Sequence, residues 1–200
     1  MKGRIVMFRR LVTSILVMVF VVAFCTAAQC CKKVVLELDY MAGKKPNTST
    51  FVDCYKKCDW AAEIKESDTS CEYHQYMNRP GESAYNYVKK YVNLPAAQWA
   101  GKHKVHILGC YEYDTANRYF GYCWVAADDS HPACIMLDNC TGTGHQAHVV
   151  NHETGHQFLA SLDSDHCSDA NCALEIDSPN DYFCNSGTNH EDKIRKSAGP

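Results

Sequence analysis

The sequence predicts a single α+β domain in the order strand, helix, strands, then a late helix that carries the chemistry. Three observations give that order. Lys33 to Met41 is apolar and then alternating, as a strand is. Residues 104–113, 119–127 and 133–137 are three further β-rich runs, the first two joined by the polar stretch Asp114 to Arg118. Last, Val149-Val150-Asn151-His152-Glu153-Thr154-Gly155-His156-Gln157-Phe158 sets a His-Glu-x-x-His motif in a half-apolar helix. The 200 residues are enough for one real core, and no internal repeat or low-complexity tract interrupts them.

At the N-terminus Lys2, Arg4, Arg9 and Arg10 precede an almost wholly apolar run from Leu11 to Phe24, and Thr26-Ala27-Ala28 supplies small residues. This is the pattern of a secretory signal cut after Ala28, with an uncleaved anchor as the alternative. Residues 1–28 are therefore set apart from a domain spanning 29–200. Without them the basic residues fall from 20 to 16 against 23 acidic ones, so the net charge moves from −3 to −7. An acidic body argues against nucleic acid as a partner. Cysteines fall from 13 to 12, an even number that in an exported chain reads first as disulfides of undetermined connectivity.

The first strand ends at the turn-forming Gly43 and Pro46. Cys54, Cys58, Ala61 and Ile64 then recur at helical spacing in a region reaching Cys71. Ser83 is placed to cap a helix running to about Leu94, with Ala84, Tyr87, Val88, Tyr91 and Val92 on one face and Pro95 as its stop. After the β-rich runs, Thr141-Gly142-Thr143-Gly144 breaks the chain before the late helix, which begins near His145. From about residue 163 the chain turns polar and cysteine-rich, and so little apolar sequence follows Leu174 that this part reads as a small flap. Asn189 caps a short closing helix to Ser197.

The late helix projects His152 and His156 from one face a turn apart, which suits two corners of a tetrahedral zinc site. Glu153 is then placed to take a proton from a water activated by the metal. His145 and His148 lie near the same side and are expected to be solvated or hydrogen-bonded.

Beyond the helix, His166-Cys167, four residues, Cys172, Ala173 and Leu174 complete a pattern that resembles the archaemetzincins, within the metzincin zinc peptidases. The resemblance implies a mixed twisted sheet above the active helix, a small C-terminal subdomain, a shallow cleft and zinc-dependent peptide-bond hydrolysis. It implies zinc held by His152, His156 and His166, with Glu153 as general base. The chain departs from the family at three points. Nine residues separate His156 from His166 where the family has five, and none is Gly. A helix extended to Leu162, returning through Asp163-Ser164-Asp165, keeps His166 in reach, with Asp163 or Asp165 as the other candidate ligands. Leu174 stands where the family has the Met beneath the metal. Cys167, Cys172 and Cys184 match three of the four cysteines of the family's second zinc, and Gly187 stands at the fourth position. These three are read as disulfide partners or, with His190, as a second zinc site.

Glu175 follows His156 after eighteen residues, a gluzincin-like spacing that requires Glu175 on a second helix facing the first. Tyr182 is a candidate for steadying an oxyanion. The competing class is a secreted disulfide-rich binding domain with structural zinc or none. A serine hydrolase is disfavoured because no Gly-x-Ser-x-Gly elbow occurs. The expectation is therefore a monomeric metallopeptidase taking a peptide or protein substrate, cutting internally rather than from an end. It would meet a membrane only through an uncleaved N-terminal segment.

Overall fold

The computed structural model describes residues 32–72, 84–110, 121–124, 133–136, 146–159, 166–175 and 180–199. The N-terminal signal or anchor, Ser83, His145, Asp163 and Asp165 lie outside the described residues. No described helix is long and apolar enough to cross a membrane.

Strand β1 (Lys32–Tyr40) is an interior strand of the sheet, and Val34 through Asp39 are buried on both of its faces. A strand with both faces covered needs neighbours on each side and layers above and below. Helix α1 (Phe51–Lys57) leads to β2 (Trp60–Glu66), then α2 (Ala84–Lys89), α3 (Ala96–Trp99) and β3 (His103–Gly109). Strands β4 (Gly121–Trp124) and β5 (Ala133–Met136), helix α4 (Gln146–Leu159) and helix α5 (His190–Lys196) complete the order. The sheet runs β2-β1-β3-β5-β4, with β4 antiparallel at one edge and every other pairing parallel. That is the mixed sheet the resemblance implies.

On one face Leu36 pairs with Val105 and Leu38 with Ile107, giving an apolar row. This row shares a cluster with Phe51, Cys54 and Tyr55 of α1 and with Val149, Val150 and Phe158 of α4. The other face is polar and equally buried. Glu37 meets Lys104 at 2.6 Å and accepts the backbone N–H groups of Asn93, at 2.6 Å, and Leu94. Asp39 lies 3.1 Å from His106 and accepts the N–H of Asp68 at 2.6 Å. The pairing of β3 with β5 covers only Leu108 and Gly109. Just before it, the Gln157 amide of α4 accepts the N–H of His106 at 3.1 Å and donates to its carbonyl at 2.9 Å. The amide serves there as a neighbouring strand would, and fixes α4 against the sheet.

Two sequence expectations are corrected. The helical spacing from Cys54 to Ile64 belongs to α1 only as far as Lys57. Asp59 then takes a left-handed φ of 62°, which ends the helix, and Trp60 starts a strand parallel to β1. Trp60, Ala62 and Ile64 alternate toward the core, so a period of two was hidden beneath the period of 3.6. The helix drawn to Leu94 stops at Lys89, because the buried Glu37 carboxylate takes the N–H groups of Asn93 and Leu94 into a different geometry.

Replacing Glu37 by Ala leaves the Lys104 ammonium, only 7% exposed, without its counter-charge and orphans two N–H groups. Urea denaturation is expected to register a loss of about 3–5 kcal/mol.

Candidate metal centre

Helix α4 is buried along nearly its whole length, and its polar residues are spent on anchoring it. Thr154 returns its hydroxyl to the Val150 carbonyl at 2.7 Å and accepts the Tyr55 hydroxyl of α1 at 2.8 Å. The Asn151 amide donates to Thr50 at 3.1 Å and to the Asp181 carbonyl at 2.7 Å. His148 meets the Asn180 carbonyl at 2.6 Å, so it is hydrogen-bonded as expected. These ties hold the helix between α1 and the C-terminal segment and leave His152, Glu153 and His156 to the remaining face.

The ligating atoms of His152, His156 and His166 lie within 4.8 Å of one another. The Nε2 atoms of His152 and His156 face each other at 3.1 Å, and the His166 ring centroid lies 5.2 and 4.9 Å from theirs. Zinc–nitrogen bonds of about 2.0–2.1 Å in a tetrahedron put neighbouring nitrogens about 3.3 Å apart, so this donor set fits zinc. His152 Nδ1 is 2.9 Å from the Ala173 carbonyl, an acceptor that requires the proton on Nδ1 and leaves the Nε2 lone pair facing inward. Burial, with His156 and His148 nearby, holds His152 well below the ordinary imidazole pKa. Neutral imidazole is the ligating form. Asp163 and Asp165 lie outside the described residues. Glu175 sits in a turn, its N–H on the Cys172 carbonyl at 3.1 Å, and is not part of the cluster. The gluzincin-like arrangement is therefore not present among the described residues, whose stretch 166–175 ends at Glu175 in a turn rather than a helix.

Glu153 is buried beside this cluster, and burial pushes its carboxyl up to about 8. A dication on the histidines would reverse that bias toward the carboxylate. Gly121 of the edge strand β4 passes directly over it. A Cβ at this position would lie 2.5 Å from Glu153 Oε1 and 2.8 Å from its carboxyl carbon. The sequence reading did not single out Gly121, although a Gly within a strand-like run is the usual mark of a close approach. Gly155, between the two helix histidines, admits Phe183 and Leu174, whose atoms would stand 2.8 and 3.2 Å from a Cβ there. Leu174 is fully buried against the helix at Gly155.

A second cluster lies behind the first. Cys167, Cys172, Cys184 and His190 are all buried with their ligating atoms within 4.8 Å. Cys167 and Cys184 sulfurs are 3.6 Å apart, and His190 Nδ1 is 3.5 Å from Cys172 and 3.4 Å from Cys184. Backbone N–H groups of Cys184, His190 and Asp169 donate to Cys172, Cys184 and Cys167 at 3.3, 3.5 and 3.4 Å. Such spacings match the edges of a tetrahedron with zinc–sulfur bonds of about 2.3 Å and are far beyond a disulfide of about 2.05 Å. The disulfide expectation is thus not met by Cys167, Cys172 and Cys184, which are thiols with no bonded pair among them. Cys54 and Cys58 are buried in the main core and belong to neither cluster. Tyr182 carries the Lys57 ammonium 3.4 Å from its ring centroid.

Because Gly121 leaves room for Glu153, Gly121→Ala is expected to cost about 1–3 kcal/mol in the metal-free protein through overpacking. Combined with Glu153→Ala, which empties the space, most of that loss should vanish. Thermal melting of the four proteins of this cycle checks it.

No family model and no curated protein matches this chain. Among solved structures, the chain is similar to an archaemetzincin from Methanopyrus kandleri. The identity is 16%, the TM-score 0.48, and the match covers 86% of this chain and 90% of that one. It is also similar to a zinc-dependent peptidase from Methanocorpusculum labreanum, at 13% identity and a TM-score of 0.46, over 80% of this chain and 99% of that one.

Proposed function

We propose that this chain is a zinc-dependent peptidase of the metzincin type. The observation that carries the reading is the convergence of three imidazoles, two from one helix face and one from a returning loop, beside a buried carboxylate. A closed structural site has no use for a carboxylate between two histidine ligands, whereas hydrolysis needs a base at that place. His152, His156 and His166 hold zinc, which when bound supplies Lewis-acid activation of water and of the scissile carbonyl.

The protein's own residues do the rest. The Ala173 carbonyl keeps the His152 proton on Nδ1, so that Nε2 stays a ligand. Glu153 accepts the proton of the attacking water and passes it to the leaving amine. Gly121 leaves the space that this carboxylate occupies, and burial keeps bulk water from competing for its proton. The substrate is a peptide or protein cleaved internally. Export rests on the basic and apolar N-terminal pattern that ends at Ala28.

Glu153→Gln should keep its zinc and lose about 10²- to 10⁴-fold in kcat/KM on a peptide library, while His166→Ala should lose the metal of this site. Zinc content by mass spectrometry and chelator-sensitive cleavage, read on the same samples, check both. Cleavage that survives the chelator would overturn the assignment. Loss of zinc in Glu153→Gln would remove Glu153 from the role of base.

A further inference from the structure

We infer that the two clusters are coupled: occupancy of the Cys167, Cys172, Cys184 and His190 cluster sets the affinity of the three-histidine site for zinc. This rests on the proposed zinc site, but on its metal binding rather than its turnover.

The histidine site takes two things from outside helix α4. One is the His166 imidazole, and the other is the Ala173 carbonyl that orients His152 at 2.9 Å. Each is directly bonded in sequence to a member of the thiol cluster, His166 to Cys167 and Ala173 to Cys172. Adjacent Cα atoms are a fixed 3.8 Å apart, so neither group moves far while its neighbour is held. The loop that carries them is closed across its ends by the Cys167 N–H on the Leu174 carbonyl at 2.9 Å.

The remaining members anchor this loop to the last segment of the chain. The Ala173 N–H donates to the Tyr182 carbonyl at 2.7 Å, and the Cys184 N–H to the Cys172 sulfur at 3.3 Å. His190 opens helix α5, where the Glu191 N–H donates to the Cys184 carbonyl at 3.0 Å. Leu174 and Phe183 press both segments against α4 at Gly155, between His152 and His156. Tetrahedral ligation of the four buried donors would fix the loop and the segment together. Without it, the His166 corner and the His152 orienter rest on hydrogen bonds and apolar contacts alone, among them the Asn180 amide on the Asn171 carbonyl at 2.8 Å. Outer groups that orient ligands in this way typically change metal affinity about ten- to a hundredfold.

The test uses the metal-free full chain titrated with zinc against a chromophoric chelator. Cobalt(II) is the reporter, since thiolate-to-metal charge-transfer absorption marks the cysteine cluster alone. In Cys184→Ser the three-histidine site is expected to bind zinc about ten- to a hundredfold more weakly than in wild type. Coupling free energies are reciprocal, so the cysteine cluster of His156→Ala, whose histidine site stays empty, must bind zinc more weakly by the same factor than that of wild type with its histidine site filled. The second variant leaves the cysteine cluster intact and decides the matter if the first does not fold. Wild-type affinity at the cysteine cluster in His156→Ala, or at the histidine site in Cys184→Ser, overturns the coupling. Coupled affinities in a protein that cuts no peptide would uphold it and end the peptidase reading.

Discussion

The helix face of α4 supplies two adjacent corners of a metal tetrahedron, because only residues three or four apart are close neighbours on one face. Everything beyond α4 answers that limit. The third imidazole has to arrive on a loop, at a position fixed to a fraction of an ångström, from a part of the chain with little apolar sequence. Fixing the backbone of such a loop costs about 1–2 kcal/mol per residue. The segment from Cys167 to Leu174 meets this cost with Cys167, Cys172, Ala173 and Leu174 buried against α4 and the closing segment. Small side chains and sulfur do there what large hydrophobes do in the main core.

The sheet answers a different demand, which is to hold α4 still from above. Its polar face is not a solvated surface, since Glu37, Asp39 and His106 are fully buried and each has a partner. Burial raises the Asp39 pKa, with the His106 hydrogen bond pulling the other way. Groups of this kind cost much to leave unpaired and so define the register of β1 and β3 more narrowly than apolar packing could. Gln157, one residue after the second helix histidine, carries that definition into the active helix through both backbone groups of His106. Position thus passes from sheet to helix to the three-histidine cluster over a short chain of bonds.

The residues most legible in the sequence were those whose spacing is set by one local element. His152, Glu153 and His156 lie within a single turn, and Asn189 caps α5 by accepting the Asp192 N–H at 3.1 Å. His166 was legible through the Cys167 and Cys172 that follow it. Strand β2 was hidden because Cys54, Cys58, Ala61 and Ile64 satisfy a helical period across the boundary at Asp59. The burial of Glu37 and Asp39 was hidden because alternation of polar and apolar residues is the same for a half-exposed strand and for one with a polar buried face. The Ala173 carbonyl acts through the backbone, which leaves no side-chain signature, whereas the only sequence mark of Gly121 is a Gly inside a strand-like run.

The cysteines show how composition can mislead when pairing is assumed. Disulfides consume sulfurs two at a time, so joining Cys167 to Cys184, now 3.6 Å apart, would leave Cys172 unpaired in the same pocket. It would also require those two sulfurs to close to about 2.05 Å, dragging Cys167 and with it His166. A tetrahedral ion instead uses all three sulfurs and the His190 nitrogen at spacings they already have. A ligated, buried thiolate is also withdrawn from exchange with other thiols and disulfides. An odd trio of cysteines with one histidine is therefore stable in two respects as a metal site and in neither as a set of disulfides.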